Sequence, residues 1–401
     1  MEILSERTRN CKHFATQKAI EYLKSIEYTI ESHADYNFDS NIPIFTILIC
    51  VFDRIEYFKK ACESALNQTY ENVEIILCNQ QGTEEVSTYC QEIFRNNENV
   101  KLINTKGRKF IKPQEGPYHP VVNLWNAGLF CSEGDFIHCQ SDDDLLSENY
   151  AECIVKLFNN NKNCIAAGGT VRSIDGQGNV TNRKYNLPET EYTSGIDMVL
   201  AFIKQKHFIY IGPGGFLSFN TDKLINAGGY DHIWDTSQIL RVAVLGDVGC
   251  DKKATFNFRH HEEASNVQFN EMGALYYASY MDWYEEYKIY EFYKEHFGDE
   301  LAQKIDKYWK YSQNFLRIFL FSKRTVDKGI FKTFIMSYKT INEECPQLVL
   351  NWFIYLIYHA LLFPFIYFNK MAISIVKIIL KRFGLHSYVK LQVQKIRSNN
   401  L

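Results

Sequence analysis

No two of the eleven cysteines are spaced as C-x-x-C, their number is odd, and several of them (Cys50, Cys78, Cys139) sit inside apolar runs. That pattern excludes a zinc ribbon or a disulfide framework and predicts reduced core residues of a cytosolic protein. Charge is nearly balanced, at a formal net −3, so the chain lacks the basic footprint of a nucleic-acid binder and no nucleic-acid partner is expected. The first seven residues are polar and lack the apolar stretch of a signal peptide, so the bulk of the chain is expected to stay where it is made. No internal repeat and no low-complexity segment breaks the sequence, which excludes solenoids and tails as the organising element.

What is present is a folded composition: 401 residues, 46% hydrophobic, with 26 Tyr and 29 Phe. Length alone suggests two or three domains. Residues 7–31 carry Ala15, Ala19, Tyr22, Leu23, Ile26 and Ile30 at helical spacing, predicting one amphipathic N-terminal helix that braces the next domain. A polar stretch before Pro43 marks a boundary, giving an extension over 1–41. From residue 45 short apolar runs alternate with helical stripes. Strands are predicted over 45–51, 73–78, 100–103, 135–139 and 164–171, with helices over 55–66, 83–95 and 121–131. Such β-α units imply an α/β fold with a mostly parallel, doubly wound sheet and ligands at the carboxyl ends of its strands.

At one such end stand Asp142, Asp143 and Asp144. Adjacent carboxylates repel, so the triplet calls for a divalent cation carrying a phosphate, or else forms a solvated acidic turn before a helix near Ser147. Near position 212 the glycines Gly212, Gly214 and Gly215 allow close backbone approach to a ligand. In Arg259-His260-His261 two adjacent histidines of an extended segment point opposite ways, so one alone can face a site; spacing favours His261 over His260.

The strand ending at Asp53, the stretch Tyr57 to Tyr70, Asn126-Ala127-Gly128, the Asp triplet and Gly228-Gly229-Tyr230-Asp231 occur in an order that resembles the family 2 glycosyltransferases of the GT-A fold, over about 45–265. The resemblance implies a GT-A domain over 42–265 and makes the triplet the DXD motif, binding Mn²⁺ or Mg²⁺ through Asp142, Asp143 or Asp144, with His261 or His260 as a further ligand. It places Cys50, Phe52, Asp53, Asn79, Asn126, Asp142, Asp143 and Arg259 around a nucleotide-sugar donor, UDP- or dTDP-linked, and the three glycines on the acceptor side. It makes Asp235 the catalytic base of an inverting transfer, with Asp231 as the second candidate. Two departures stand out: Asn79 where the family usually has Asp, and Trp234 where it has Glu before Asp235.

Beyond 266 the composition shifts. Residues 266–344 carry Tyr276, Tyr280, Trp283, Tyr287 and Tyr290 at helical spacing, predicting an aromatic helix face packed on the domain before it. The stretch 345–369 has no charged residue and the tail from 370 has basic but no acidic ones. Residues 345–401 are therefore expected to attach, by a monotopic or re-entrant helical segment, to the cytoplasmic face of the inner membrane, with a buried core hairpin and a true span as the alternatives. The reading as a whole is a glycosyltransferase acting on a lipid-linked or polysaccharide acceptor. Its alternatives are an inactive, membrane-bound sugar-binding relative, which the two departures favour, and a sugar nucleotidyltransferase. Against the latter, Asp53-Arg54-Ile55-Glu56 stands where a glycine-rich phosphate loop belongs.

Overall fold

The chain divides into two compact units, Met1–Gln313 and Asn314–Leu401. A computed structural model describes residues 4–24, 27–33, 37–51, 53–80, 82–106, 120–183, 185, 188–203, 216–230, 240–261 and 288–307. All of these belong to the first unit.

The apolar runs become the centre of the sheet. Strand β2 (Phe45–Val51) is buried along its whole length, and β3 (Val73–Gln80) is buried up to Asn79. A strand covered on both faces reads as such a continuous run, because helices lie on either side of it. With β4 (Val100–Lys106) and β5 (Phe136–Ser141) these strands form a parallel set in the order β4-β3-β2-β5. Helix α3 (Ile55–Leu66) buries Phe58, Ala61, Cys62 and Ala65, and α4 (Glu84–Asn96) is capped by the Thr83 hydroxyl, which accepts from the Val86 N–H. Helix α5 (Pro120–Cys131) starts on a proline, whose missing N–H costs nothing in the first turn. Its Gly128 lies so close to Leu48 of β2 that a Cβ would stand 2.3 Å from a leucine methyl, so the Asn-Ala-Gly sequence serves helix-on-sheet packing.

The sheet is mixed where a mostly parallel one was expected. Among the described residues it has ten strands in the order β1-β4-β3-β2-β5-β9-β7-β10-β6, with β8 (Tyr192–Ser194) on β10. The short strand β9 (Leu217–Asn220) runs antiparallel between β5 and β7 (Cys164–Asp175), ending the parallel run. The last long strand, β10 (Asp247–His260), lies parallel to β7 and antiparallel to β6 (Leu145–Leu146). Helix α6 (Tyr150–Asn160) packs on these two, and α7 (Gly195–Ile203) and α8 (Thr221–Asn226) follow β8 and β9.

The N-terminal segment departs from the expected single helix. It forms α1 (Glu6–Asn10), α2 (Phe14–Lys24) and then strand β1 (Glu27–Glu31), antiparallel to β4. Ala15, Ala19 and Leu23 are buried on α2 as their spacing implied, but Ile30 belongs to the strand. In Glu27-Tyr28-Thr29-Ile30-Glu31 the apolar residues alternate with polar ones, and the free edge of β4 supplies the ladder. Arg7 donates to the carbonyls of Gly134 and Glu133, so the first residues are built into the α/β unit.

The aromatic helical face is described only from Lys288. Helix α9 (Ile289–Phe297) and the helical residues 299–307 pack Ile289, Tyr293, Ala302 and Ile305 against Val199, Leu240 and Val244. Tyr276, Tyr280, Trp283, Tyr287 and the whole of 345–401 lie outside the described residues, and no described helix is long and apolar enough to cross a membrane.

Candidate active site

The parallel strands β2, β3, β4 and β5 all end on one edge, and the Asp triplet is the turn that leaves β5 there. It is not a solvated turn: Asp142, Asp143 and Asp144 are 5%, 8% and 1% exposed. Gln140 holds the turn from beneath, its amide donating to Asp144 O (2.8 Å) and to Ala61 O on α3 (3.2 Å). Leu145 and Leu146 then pair with β10, which brings Arg259 and His261 onto the triplet.

The three carboxylates part ways. Asp144 turns back into the protein and accepts from the Arg259 backbone N–H at 2.8 Å, so it anchors the turn to β10. Asp142 and Asp143 face outward together onto one guanidinium, that of Arg54. Arg54 takes both Asp142 oxygens through Nη2 and Nε, and its Nη1 lies 2.5 Å from Asp143 Oδ2. His261 Nε2 is 2.9 Å from the same Asp143 oxygen and 3.3 Å from Arg54 Nη1. The alternation of the strand end sends His260 the other way, to the Tyr185 hydroxyl (2.9 Å). Tyr57, in the first turn of α3, completes the wall, with its ring 4.6 Å from that of His261 and 5.0 Å from the Arg259 guanidinium carbon.

The charges follow from this packing. Burial pushes the Asp142 carboxyl up to about 7; Arg54 opposes the rise, while Asp143 and Asp53 add to it. Burial also acts on Asp143, but the hydrogen bond from His261 and the charge of Arg54 outweigh it and hold Asp143 below the usual carboxylate range. Asp144 is driven well upward by burial and by Asp143. Burial disfavours the Arg54 cation, yet the two carboxylates more than compensate and raise its pKa. Two carboxylates and an imidazole thus converge on one cationic position, a donor set of oxygen and nitrogen that suits Mn²⁺ or Mg²⁺. Among the described residues no group of three or more such side chains is arranged to hold an ion, and the Arg54 guanidinium lies against both Asp142 and Asp143.

Other residues picked from the sequence have different duties. Asn126 spends both ends of its amide on Tyr230, donating to its carbonyl (2.9 Å) and accepting from its N–H (2.8 Å). It braces Gly228 and Gly229, whose φ values of 104° and 69° require glycine. Arg241 clamps the same turn through the Ala227 and Gly229 carbonyls. Asn79 is likewise committed: it donates to Ser87 (3.1 Å) and Asn104 (3.0 Å) and accepts from the Gly82 N–H (2.9 Å). Arg259 is a buried strut on the carbonyls of Asp143, Asp175 and Gly176, with only Nη2 lacking a partner among the described residues. Cys50 is buried at the end of β2, and Asp53 is exposed beside the site. Phe52, Gly212, Gly214, Gly215, Asp231 and Asp235 lie outside the described residues. Sequence reasoning missed Arg54 and Tyr57; the available signal was a cation placed directly after the strand end that faces the triplet.

Residues 46–223, from the first buried strand past the triplet to β9, match the family described as Glycosyl transferase family 2. The chain carries a family 2 glycosyltransferase domain. It is 25% identical over 250 residues to a hyaluronan synthase of Pasteurella multocida, covering 59% of this chain and 24% of that protein. It is 26% identical over 148 residues to a chondroitin synthase of the same species, covering 37% of this chain and 14% of that one. The chain therefore spans a quarter or less of the length of these two synthases. Among solved structures, that of S. aureus TarS 1-349 in complex with UDP-GlcNAc aligns with a TM-score of 0.45 at 11% identity, over 76% of this chain and 92% of that one. In the glycosyltransferase domain the matched region includes Arg54 and both outward-facing carboxylates, while β10 with His261 lies beyond it.

Proposed function

We propose that this chain is an inverting, metal-dependent glycosyltransferase that moves a sugar from a nucleotide-sugar donor to a lipid-linked or polysaccharide acceptor in cell-surface glycan synthesis. The observation that carries the reading is the convergence of Asp142, Asp143 and His261 on one cationic position at the carboxyl edge of the parallel strands. That edge is where an α/β sheet binds nucleotides. The polysaccharide acceptor rests on the synthase names of the relatives.

Asp142, Asp143 and His261 would hold Mn²⁺ or Mg²⁺, which offsets the charge that builds on the leaving diphosphate. Asp144 and Arg259 fix the turn so that the outer two carboxylates keep their direction. Asp235, or Asp231, takes the acceptor hydroxyl proton as that oxygen attacks the anomeric carbon opposite the phosphate. Asn126 and Arg241 anchor the backbone immediately before and after 231–239.

Calorimetry with a panel of nucleoside diphosphates, with and without Mn²⁺, tests the reading. The expected result is binding of a uridine or thymidine diphosphate that needs the metal. Metal-independent binding, or none, favours the inactive sugar-binding relative, to which the committed Asn79 amide already lends weight.

We further infer that residues 345–401 attach the protein to the cytoplasmic face of the inner membrane. Deleting them is expected to move the protein from the membrane to the soluble fraction on sedimentation of cell lysates; an unchanged distribution removes the proposal.

A further inference from the structure

The cation that neutralises Asp142 and Asp143 is a residue of this chain, held on a short leash. Arg54 lies between the end of β2 and the first turn of α3, where its backbone φ/ψ of −92° and 62° is non-helical. Its side chain is 19% exposed and reaches all three groups named above as ion ligands. His261 Nε2 can meet its two neighbours in two ways. Nε2 donates to Asp143 only when it carries hydrogen, and faces the Arg54 N–H as an acceptor only when it does not. The second arrangement points the imidazole lone pair at the guanidinium, in the direction a metal ion would require. Arginine also keeps its charge at every accessible pH, and its planar fork fits phosphate as well as carboxylate.

We propose that Arg54 is an exchangeable counter-ion: it holds Asp142 and Asp143 in place, must be displaced by an entering divalent ion, and transfers to the diphosphate of the donor when metal and nucleotide bind together. The proposal rests on reading Asp142, Asp143 and His261 as the ion's ligands. An ion entering alone loses the Arg54 pairing and leaves a part-buried guanidinium without a partner, so binding of metal alone is weak. A diphosphate offers that guanidinium new acceptors. Metal and nucleotide therefore strengthen each other's binding, and by linkage the factor is the same in both directions.

The test measures Mn²⁺ binding by electron paramagnetic resonance on the full chain, with and without UDP or dTDP, for wild type, Arg54→Ala and Arg54→Lys. In wild type the nucleotide is expected to tighten Mn²⁺ by about tenfold or more, within the usual range of coupling between sites. In Arg54→Ala, Mn²⁺ alone is expected to bind about tenfold tighter and the coupling to fall to near unity, since the competing cation and the phosphate partner disappear together. Arg54→Lys keeps the charge without the fork, and is expected to retain weak binding of metal alone while losing most of the coupling. If Arg54→Ala fails to fold, the lysine variant and the wild-type coupling decide the matter by themselves. Unchanged Mn²⁺ affinity and unchanged coupling in the variants overturn the proposal while the donor-site reading survives. Tighter Mn²⁺ in Arg54→Ala with no nucleotide binding in any form supports the counter-ion and overturns the donor site.

Discussion

Asp143→Asn is expected to lower sugar transfer by roughly a hundred- to ten-thousandfold, the equivalent of several kcal/mol of metal-assisted charge stabilisation. Asp143 is the meeting point of the site: its Oδ2 faces both Arg54 and His261. Asparagine keeps the shape of the side chain and removes its charge, so the loss of transfer should far exceed the loss of stability that follows from giving up its pairing with Arg54 and His261. The check is release of nucleoside diphosphate from the donor selected by the binding panel, alongside the thermal unfolding midpoint. The same change at Asp144 separates the two roles. Asp144 meets the Arg259 backbone and not the cation, so Asp144→Asn should shift stability more than transfer. Equal activity losses at the two positions would remove the division of labour drawn here.

Lys101→Met is expected to destabilise the fold by about 3–5 kcal/mol, the usual cost of stranding a buried charge. Thr46, Glu74 and Lys101 are the second residues of β2, β3 and β4, at the edge opposite the active site; Thr46 is level with Glu74, and Lys101, level with Ile76, reaches back to Glu74 with its side chain. Glu74 is fully buried, pairs with Lys101 Nζ at 2.7 Å, and also accepts from Thr46 (2.5 Å) and from the Glu133 N–H (3.0 Å). The outer partner, Glu133, is 55% exposed, and its pairing with Lys101 is worth at most about 1 kcal/mol. Urea unfolding of Lys101→Met, Glu133→Ala and the double variant Glu74→Gln/Lys101→Met checks the ranking. The double variant should recover much of the loss, because the stranded charge is gone. A Lys101→Met protein as stable as wild type would mean that the pair contributes little.

The core of the fold was legible because its strands are buried on both faces and its helices carry clear stripes. The runs ending at Val51 and Cys78 and the stripe of Phe58, Cys62 and Ala65 follow directly from composition and period. β1 was hidden because Ile30 sits four residues after Ile26, a spacing that continues the helical period although a sheet edge claims the segment. β9 was hidden because four residues carry no pattern, and its antiparallel placement depends on partners far along the chain. At the site, the triplet announced a cation but not which carboxylates face it. That choice is made by β10, whose backbone takes Asp144 and whose last residues present His261. Asn79 and Asn126 have the chemistry of ligand-binding residues, and only the positions of Asn104, Ser87 and Tyr230 show that their hydrogen bonds are already spent.

The spacing of the site along the chain also sets the order in which it is born. Arg54 and Asp142 are 88 residues apart, and both emerge during synthesis well before β10 exists. His261 follows Asp143 by another 118 residues. A nascent chain that has reached β5 carries three crowded carboxylates with no β10 to anchor Asp144 and no imidazole to share Asp143. Arg54, already made and sitting one turn away on the neighbouring strand's exit, is the cation at hand, so the early half of the domain can close on itself while the ribosome is still making the rest. Arg54 thus serves the unfinished chain as well as the finished one, as the charge that lets an acidic turn be buried in time.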